Sequence, residues 1–271
     1  MNPKWIVESR LALKAVSAGA DMLDRGYKEI PFRAKENSRE VVTELDVIIE
    51  EKIRGILKET KHRVIGEEIK NSNYSGFPIK GGVWVIDPID GTSNFVSSLP
   101  IYSVSVGFMH NSKFSVGAVV IPAQKELFFT MGNQSSFMNN KTLRVDSGEL
   151  EGALIAASFS SRASIGKSRI KEYEVFGKLN DMSRGCLRLG AASVNICYVA
   201  AGRLQCAYGI SNKIWDVAGG LAIALRAGCK VYIEFIKGTS KVNYAVGVNG
   251  AVDEIASILK KEKLADLELT E

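Results

Sequence analysis

Two aspartates, Asp87 and Asp90, stand three residues apart in the stretch WVIDPIDGTSNF. An apolar run leads straight into them, and Gly91, Thr92 and Ser93 follow. Carboxylates this close crowd their charges, which costs free energy unless a cation lies between them. Pro88 fixes the backbone and removes a donor, so the Ile89 carbonyl is not easily taken up by a ladder and stays available as an oxygen ligand. Gly91 and Thr92 bring backbone N–H groups to an expected helix start, which is where anions bind. Metal-binding oxygens and a phosphate cradle thus fall within the six residues from Asp87 to Thr92. Read alone, the same stretch is also a tight turn capped by Asp90.

Further carboxylates join the pattern. Glu67 follows a glycine at the end of an expected short strand. Asp46 and Glu50 share one face of an expected helix, and Asp216 sits between an apolar turn and a small-residue helix in IWDVAGG. Each has a plainer reading: solvated loop acids at Glu67 and Glu68, a charged helix face at Asp46, a helix cap at Asp216. Together, carboxylates at the ends of several elements can hold divalent cations. The chain has only two histidines, and its four cysteines form no CxxC pair, so the ligands must be mainly oxygen. That donor set selects hard cations such as Mg²⁺ over zinc or copper. With phosphate donors alongside, the chemistry is metal-assisted phosphoryl transfer to water.

The motifs GEE (66–68), DPIDGTSNF (87–95) and WDVAGG (215–220) resemble those of the inositol monophosphatase family. That family belongs to the lithium-sensitive, magnesium-dependent sugar phosphatases, with the fructose-1,6-bisphosphatases. VVTELDVIIEEKI (41–53) and GAASVNICYVAAGRL (190–204) extend the resemblance, which runs from about residue 5 to the C-terminus. The resemblance implies two to three Mg²⁺ ions, with Mn²⁺ as an alternative. Glu67, Asp87 and the Ile89 carbonyl would bind the first, and Asp87, Asp90 and Asp216 the second. A third, weaker ion would sit near Glu67. Asp46 and Thr92 would orient and help deprotonate the attacking water, with no phosphoenzyme. Gly91 and Thr92 would hold the phosphate, and Asp90, Ala192, Arg188 and the loop residue Lys35 would line the substrate side. Asp90→Asn is expected to cut turnover by orders of magnitude and spare the fold.

The implied substrate is a small phosphorylated sugar or polyol, inositol monophosphate or fructose 1,6-bisphosphate. The alternatives are a phosphatase of 3′-phosphoadenosine 5′-phosphate and a non-catalytic phosphate-binding regulator. Animal-type members carry an inositol-binding glutamate seven residues before the last aspartate. Gly209 stands there in this chain, so that contact is missing or comes from Ser211, Asn212 or Lys213. The cationic loop at 160–169 is a candidate for a second phosphate. The family also implies a homodimer or homotetramer.

The elements that must position these residues follow from periodicity. Residues 3–25 read as an amphipathic helix, a second helix follows VVT at 41–43, and GGVWVIDPID reads as a buried strand. Alternation from Tyr102 to about residue 145 predicts an antiparallel meander. Beyond it, strands and helices alternate, as in an open α/β layer. The expected fold class is mixed α+β and α/β, which the family resemblance implies is arranged as a layered α-β-α-β-α sandwich, the sugar phosphatase fold. Residues 1–145 would form a helix and antiparallel-sheet part carrying most metal ligands, and 146–271 an α/β part carrying Asp216. At 271 residues, 46% hydrophobic and 24% charged, the chain has an ordinary globular composition with room for a large core. Its net charge of +5 is spread along the whole length, which gives no support for a nucleic-acid partner. The N-terminus lacks the apolar core of a signal peptide, and no apolar run is long enough to span a bilayer, so a cytoplasmic location is expected.

Overall fold

The computed structural model of the chain describes residues 4–26, 32–34, 41–69, 76–159 and 167–261. Lys35 and residues 160–166 of the cationic loop lie outside them. The helices are α1 (Ile6–Gly26), α2 (Glu44–Leu57), α3 (Thr92–Val96), α4 (Lys167–Asp181), α5 (Ala192–Ala200), α6 (Ile214–Arg226) and α7 (Asn249–Lys261). Strands β1 (Phe32–Ala34) and β2 (Val41–Thr43) form a small antiparallel pair. A seven-stranded sheet follows in strict chain order: β3 (Arg63–Gly66), β4 (Gly82–Asp90), β5 (Ser103–His110), β6 (Lys113–Ile121), β7 (Glu126–Met131), β8 (Ser135–Met138) and β9 (Lys141–Thr142). All its neighbours are antiparallel except β3, which runs parallel to β4. A parallel neighbour needs a crossover rather than a hairpin, and the connection from residue 67 to 81 is long enough to make one.

The second sheet has five strands in the order β11 (Gly185–Leu187), β10 (Leu154–Phe159), β12 (Cys206–Lys213), β14 (Lys241–Gly247) and β13 (Lys230–Phe235). Strand β10 runs parallel to both its neighbours, whereas β14 runs antiparallel to β12 and β13. Strand β11 has no counterpart in the sequence reading, because three residues give no measurable alternation.

The period-two alternation of β4 sorts its side chains between two cores. Trp84 and Ile86 pack with Leu11, Ala15, Ile49 and Ile53 of α1 and α2. Val83 and Val85 face the opposite way, toward Val194, Ile196, Val217 and Leu221 of α5 and α6. Helices α5 and α6 also touch the second sheet, whose far face is covered by α4 and α7. The layers therefore run α-β-α-β-α. Strands β4 to β6 are covered on both faces, which explains their nearly continuous apolar runs.

Helix α6 lies unusually close to the seven-stranded sheet. Gly107 and Gly117 pair across the β5–β6 ladder and form a trough beneath it. A Cβ at Gly107 would come within 2.9 Å of Ala218, and one at Gly117 would overlap the Gly219 carbonyl oxygen. The four cysteines are free thiols; Cys197, Cys206 and Cys229 are buried and Cys186 is half-buried. No helix among the described residues is long and apolar enough to cross a membrane.

Candidate metal centre

Strand β4 carries Asp87 opposite Ser105 and Asp90 opposite Ser103. Two residues, Pro88 and Ile89, thus stand opposite the single Val104, so the chain bulges there. Gly91 then turns in the left-handed region at φ 87°, where a side chain would crowd the Ile101 oxygen and Ala191. Helix α3 starts at once, and the Thr92 hydroxyl reaches back to the Ile89 carbonyl at 2.8 Å. The same hydroxyl lies 3.4 Å from Oδ1 of Asp46, a buried residue in the first turn of α2.

Glu67, Asp87 and Asp216 converge, with one carboxylate oxygen from each lying within 4.8 Å of the others. They come from the turn after β3, from β4 and from the first turn of α6. Asp87 is buried, and its Oδ1 has no hydrogen-bond partner. Burial, and then the charge of Glu67, pushes its carboxyl well above the ordinary range. Burial followed by Glu67 does the same to Asp216. Unpartnered carboxylate oxygen crowded by other acids is the environment a hard divalent cation relieves, so these residues fit Mg²⁺. Asp216 also accepts the Lys213 N–H at 3.0 Å in the capping box of α6, so its capping and ligand roles coexist.

Asp90 lies outside that trio and has its own partners. Its Oδ1 accepts the Ala192 N–H at 3.2 Å, and its Oδ2 accepts the Ser193 N–H at 2.7 Å and hydroxyl at 2.5 Å. It thus satisfies the first turn of α5, whose N-cap Ala191 makes no side-chain cap bond. Asp90→Ala leaves the Ala192 and Ser193 amides buried without that acceptor and should cost about 2–3 kcal/mol in urea unfolding. Asp90→Asn keeps one acceptor oxygen, and comparing the two variants separates the structural role from any catalytic one. An Ala variant as stable as wild type would remove the capping role.

The same burial sets a pH dependence. Asp90 is pushed up to about 6, mainly by burial and against the Ser193 hydrogen bonds. Asp87 and Asp216 shift in the same direction. These groups bind protons more tightly folded than unfolded, so the stability they contribute below the ordinary carboxylate value is lost as pH rises through the folded value. In EDTA the melting temperature should therefore fall as pH rises from the ordinary carboxylate value, about 4, through about 6, and saturating Mg²⁺ should flatten the fall. A metal-free melting temperature that rises over that interval would contradict this reading.

A profile of the inositol monophosphatase family matches residues 8–253. The chain belongs to that family. It is 31% identical over 237 residues to a Pasteurella multocida protein named Nus factor SuhB, covering 84% of each chain. It is also 31% identical over 226 residues to an Aquifex aeolicus protein named fructose-1,6-bisphosphatase/inositol-1-monophosphatase, covering 79% of this chain and 81% of that one. Among solved structures, the Thermotoga maritima IMPase superposes with a TM-score of 0.75 at 25% identity, over 93% of this chain and 96% of that one.

Set beside the family motifs, the outer residues divide. The Ala192 amide is engaged by Asp90. Arg188 is exposed, stacks over the Phe159 ring at 4.1 Å and donates to the Phe159 carbonyl at 3.1 Å. At Gly209, where animal-type inositol monophosphatases carry a glutamate, a Cβ would overlap both Asn212 Oδ1 and the Tyr244 ring. No side chain fits there, and Asn212 fills the space, its Nδ2 3.5 Å from Asp216 and its Oδ1 buried without a partner.

Glu50 has a part that its sequence position did not reveal. Fully buried, it binds Arg54 at 2.7 Å and accepts the Glu68 N–H at 2.8 Å, while Arg54 donates to the Val64 carbonyl at 3.1 Å. This pair fixes the turn that presents Glu67. The one available signal was its place one helical turn after Asp46.

Proposed function

We propose that this protein is a Mg²⁺-dependent phosphomonoesterase acting on small phosphorylated polyols or sugars, with inositol monophosphate and fructose 1,6-bisphosphate as its substrates. The observation that carries this reading is the convergence of Glu67, Asp87 and Asp216 around an unpartnered Asp87 oxygen, beside the Asp46–Thr92 pair. Glu67, Asp87 and Asp216 would hold the cation, with Asp90 and the Ile89 carbonyl alongside. When bound, Mg²⁺ supplies positive charge that neutralises phosphate oxygens, acidifies water and stabilises the leaving alkoxide.

The remaining roles belong to the chain itself. The Gly91 and Thr92 amides, at the start of α3 and without intrahelical acceptors, donate to the phosphate. Thr92 has one hydroxyl proton and two acceptors within reach, Ile89 and Asp46. Once that proton is donated, its oxygen accepts from the attacking water and orients it in line with the phosphorus. Engaging the Ile89 carbonyl elsewhere would turn the Thr92 proton to Asp46, which then serves as the proton sink. The substrate-hydroxyl contact of the missing glutamate would fall to Ser211, Asn212 or Lys213.

The test is phosphate release from inositol 1-phosphate, fructose 1,6-bisphosphate and 3′-phosphoadenosine 5′-phosphate, with Mg²⁺ and with EDTA. Mg²⁺-dependent turnover of either of the first two is expected. Turnover of the nucleotide alone would move the assignment to the nucleotide phosphatases. Release from none of the three would overturn it.

A further inference from the structure

Arg226, in the last turn of α6, is a half-buried cation with no acid beside it among the described residues. Its Nη1 donates to the Phe114 carbonyl at 3.2 Å and its Nη2 to the Ser115 carbonyl at 3.1 Å. Both acceptors are neutral main chain. Burial pushes the guanidinium below its usual value, and no neighbouring carboxylate pushes back. A guanidinium has five N–H donors, and charge taken out of water without a counter-charge is costly. An anion in the space beside it would supply that counter-charge.

There is room for one. Arg226 lines a cavity of about 540 Å³ with Lys4, Trp5, His110, Lys113 and Phe114. Among the described residues no Asp or Glu lines this cavity, so Lys4, Lys113 and Arg226 face it without a carboxylate. The volume is within the range of small-molecule sites, about 300–1,000 Å³. Its apolar lining combines the aromatic Trp5 and Phe114 with Leu225, Val231 and Ile233. Trp5 holds a left-handed backbone, φ 68°, which is uncommon for a bulky residue and marks strain that functional sites often store. Its ring packs against Phe108 at 5.2 Å and His110 at 5.1 Å, and the Lys4 ammonium lies 4.6 Å from it.

The cavity is separate from the metal centre. Asp216 is in the first turn of α6 and Arg226 in the last, ten residues or about 15 Å along the axis. Likewise Ser103, opposite Asp90, begins β5, and His110 ends it.

We propose that this cavity is a second binding site, for a phosphorylated small molecule that carries an aromatic ring, such as a nucleoside monophosphate. The phosphate meets Arg226 and Lys113, and the ring stacks on the Trp5 side of the cavity. The inference does not depend on the phosphatase reading.

Its test uses metal-free protein in EDTA, where the uncompensated carboxylates of the metal centre repel anions. Guanosine 5′-monophosphate and inorganic pyrophosphate are titrated separately by calorimetry, with tryptophan fluorescence of wild type and Trp5→Phe as a second readout. The nucleotide should bind one to one with a Kd below about 1 mM, tighter than pyrophosphate. Lys113→Met and Arg226→Met should each weaken it about tenfold or more, a loss typical of a desolvated charge contact. Lys113 is exposed at the start of β6, and its ladder and hydrogen-bond contacts are main-chain ones that a methionine keeps, so that variant keeps the test valid if Arg226→Met fails to fold. The nucleotide fluorescence response should vanish in Trp5→Phe. No binding of either anion, or binding unchanged in Lys113→Met, overturns the site. Equal affinity for both anions overturns the aromatic ligand class.

Discussion

Replacing Asp87 by Asn should lower Mg²⁺-dependent phosphate release about a thousandfold and raise the melting temperature of the metal-free protein. The first effect follows from losing the central carboxylate of the Glu67–Asp87–Asp216 trio. A cation supplies several kcal/mol of charge stabilisation, and each 1.4 kcal/mol is worth about tenfold in rate. The second effect has the opposite sign because Asp87 is buried among acids that push its carboxyl up. An amide of the same shape removes that repulsion and offers N–H donors to Glu67 and Asp216. Thermal melts in EDTA and in Mg²⁺ check both effects, and the upward shift that Mg²⁺ gives the wild type should shrink or vanish in the variant. Turnover close to wild type, or a metal-free variant that melts lower, would remove Asp87 from the centre.

The second large effect is mechanical. Gly117→Ala places a methyl group on the Gly219 carbonyl oxygen, and the obstacle is backbone rather than a side chain that can swing away. Helix α6 must lift from the sheet, an overpacking that costs about 3 kcal/mol. Asp216 rides on the first turn of that helix, so Mg²⁺ affinity should fall along with stability. Gly55→Ala is the matched control: its site on α2 is open, and alanine there should stabilise by about 0.5–1 kcal/mol. Equal stability of the two alanine variants would mean that the trough tolerates a side chain. An unchanged Mg²⁺ titration in a destabilised Gly117→Ala would mean that α6 shifts without carrying Asp216.

What could be read from the chain alone was whatever local periodicity encodes. The apolar run of β4 ending in Asp-Pro-Ile-Asp announced both a buried strand and the break in its ladder. The meander, the α/β alternation beyond it and the helices of the second half were equally legible. The layering came from the family resemblance, and the helix pair α5–α6 proves to be the filling between two sheets. What stayed hidden depends on residues far apart in sequence. Asp90 reaching Ser193, and Gly117 meeting Gly219, are separated by about a hundred positions, and no pattern within a window of ten records them. Glu50 looked like one more charge on a solvated helix face. Its complete burial follows from the turn it supports, which lies eighteen residues away at Glu68. The occupant of the space at Gly209 was equally out of reach, because Asn212 and Tyr244 come from different strands of the second sheet.

The four cysteines leave this protein almost without thiol chemistry. Burial pushes Cys206 and Cys229 up to about 12 and Cys186 to about 11, and raises Cys197 further above its ordinary value. The thiolate is the species that reacts, and at neutral pH almost none is present. Peroxide and alkylating reagents should therefore react slowly with the cysteines of the folded protein. A maleimide dye should react only slowly with the native thiols, and a single new cysteine on the surface, for instance Lys113→Cys beside the cationic cavity, would take the label first. The chain comes ready for site-specific spectroscopy with its own cysteines left in place.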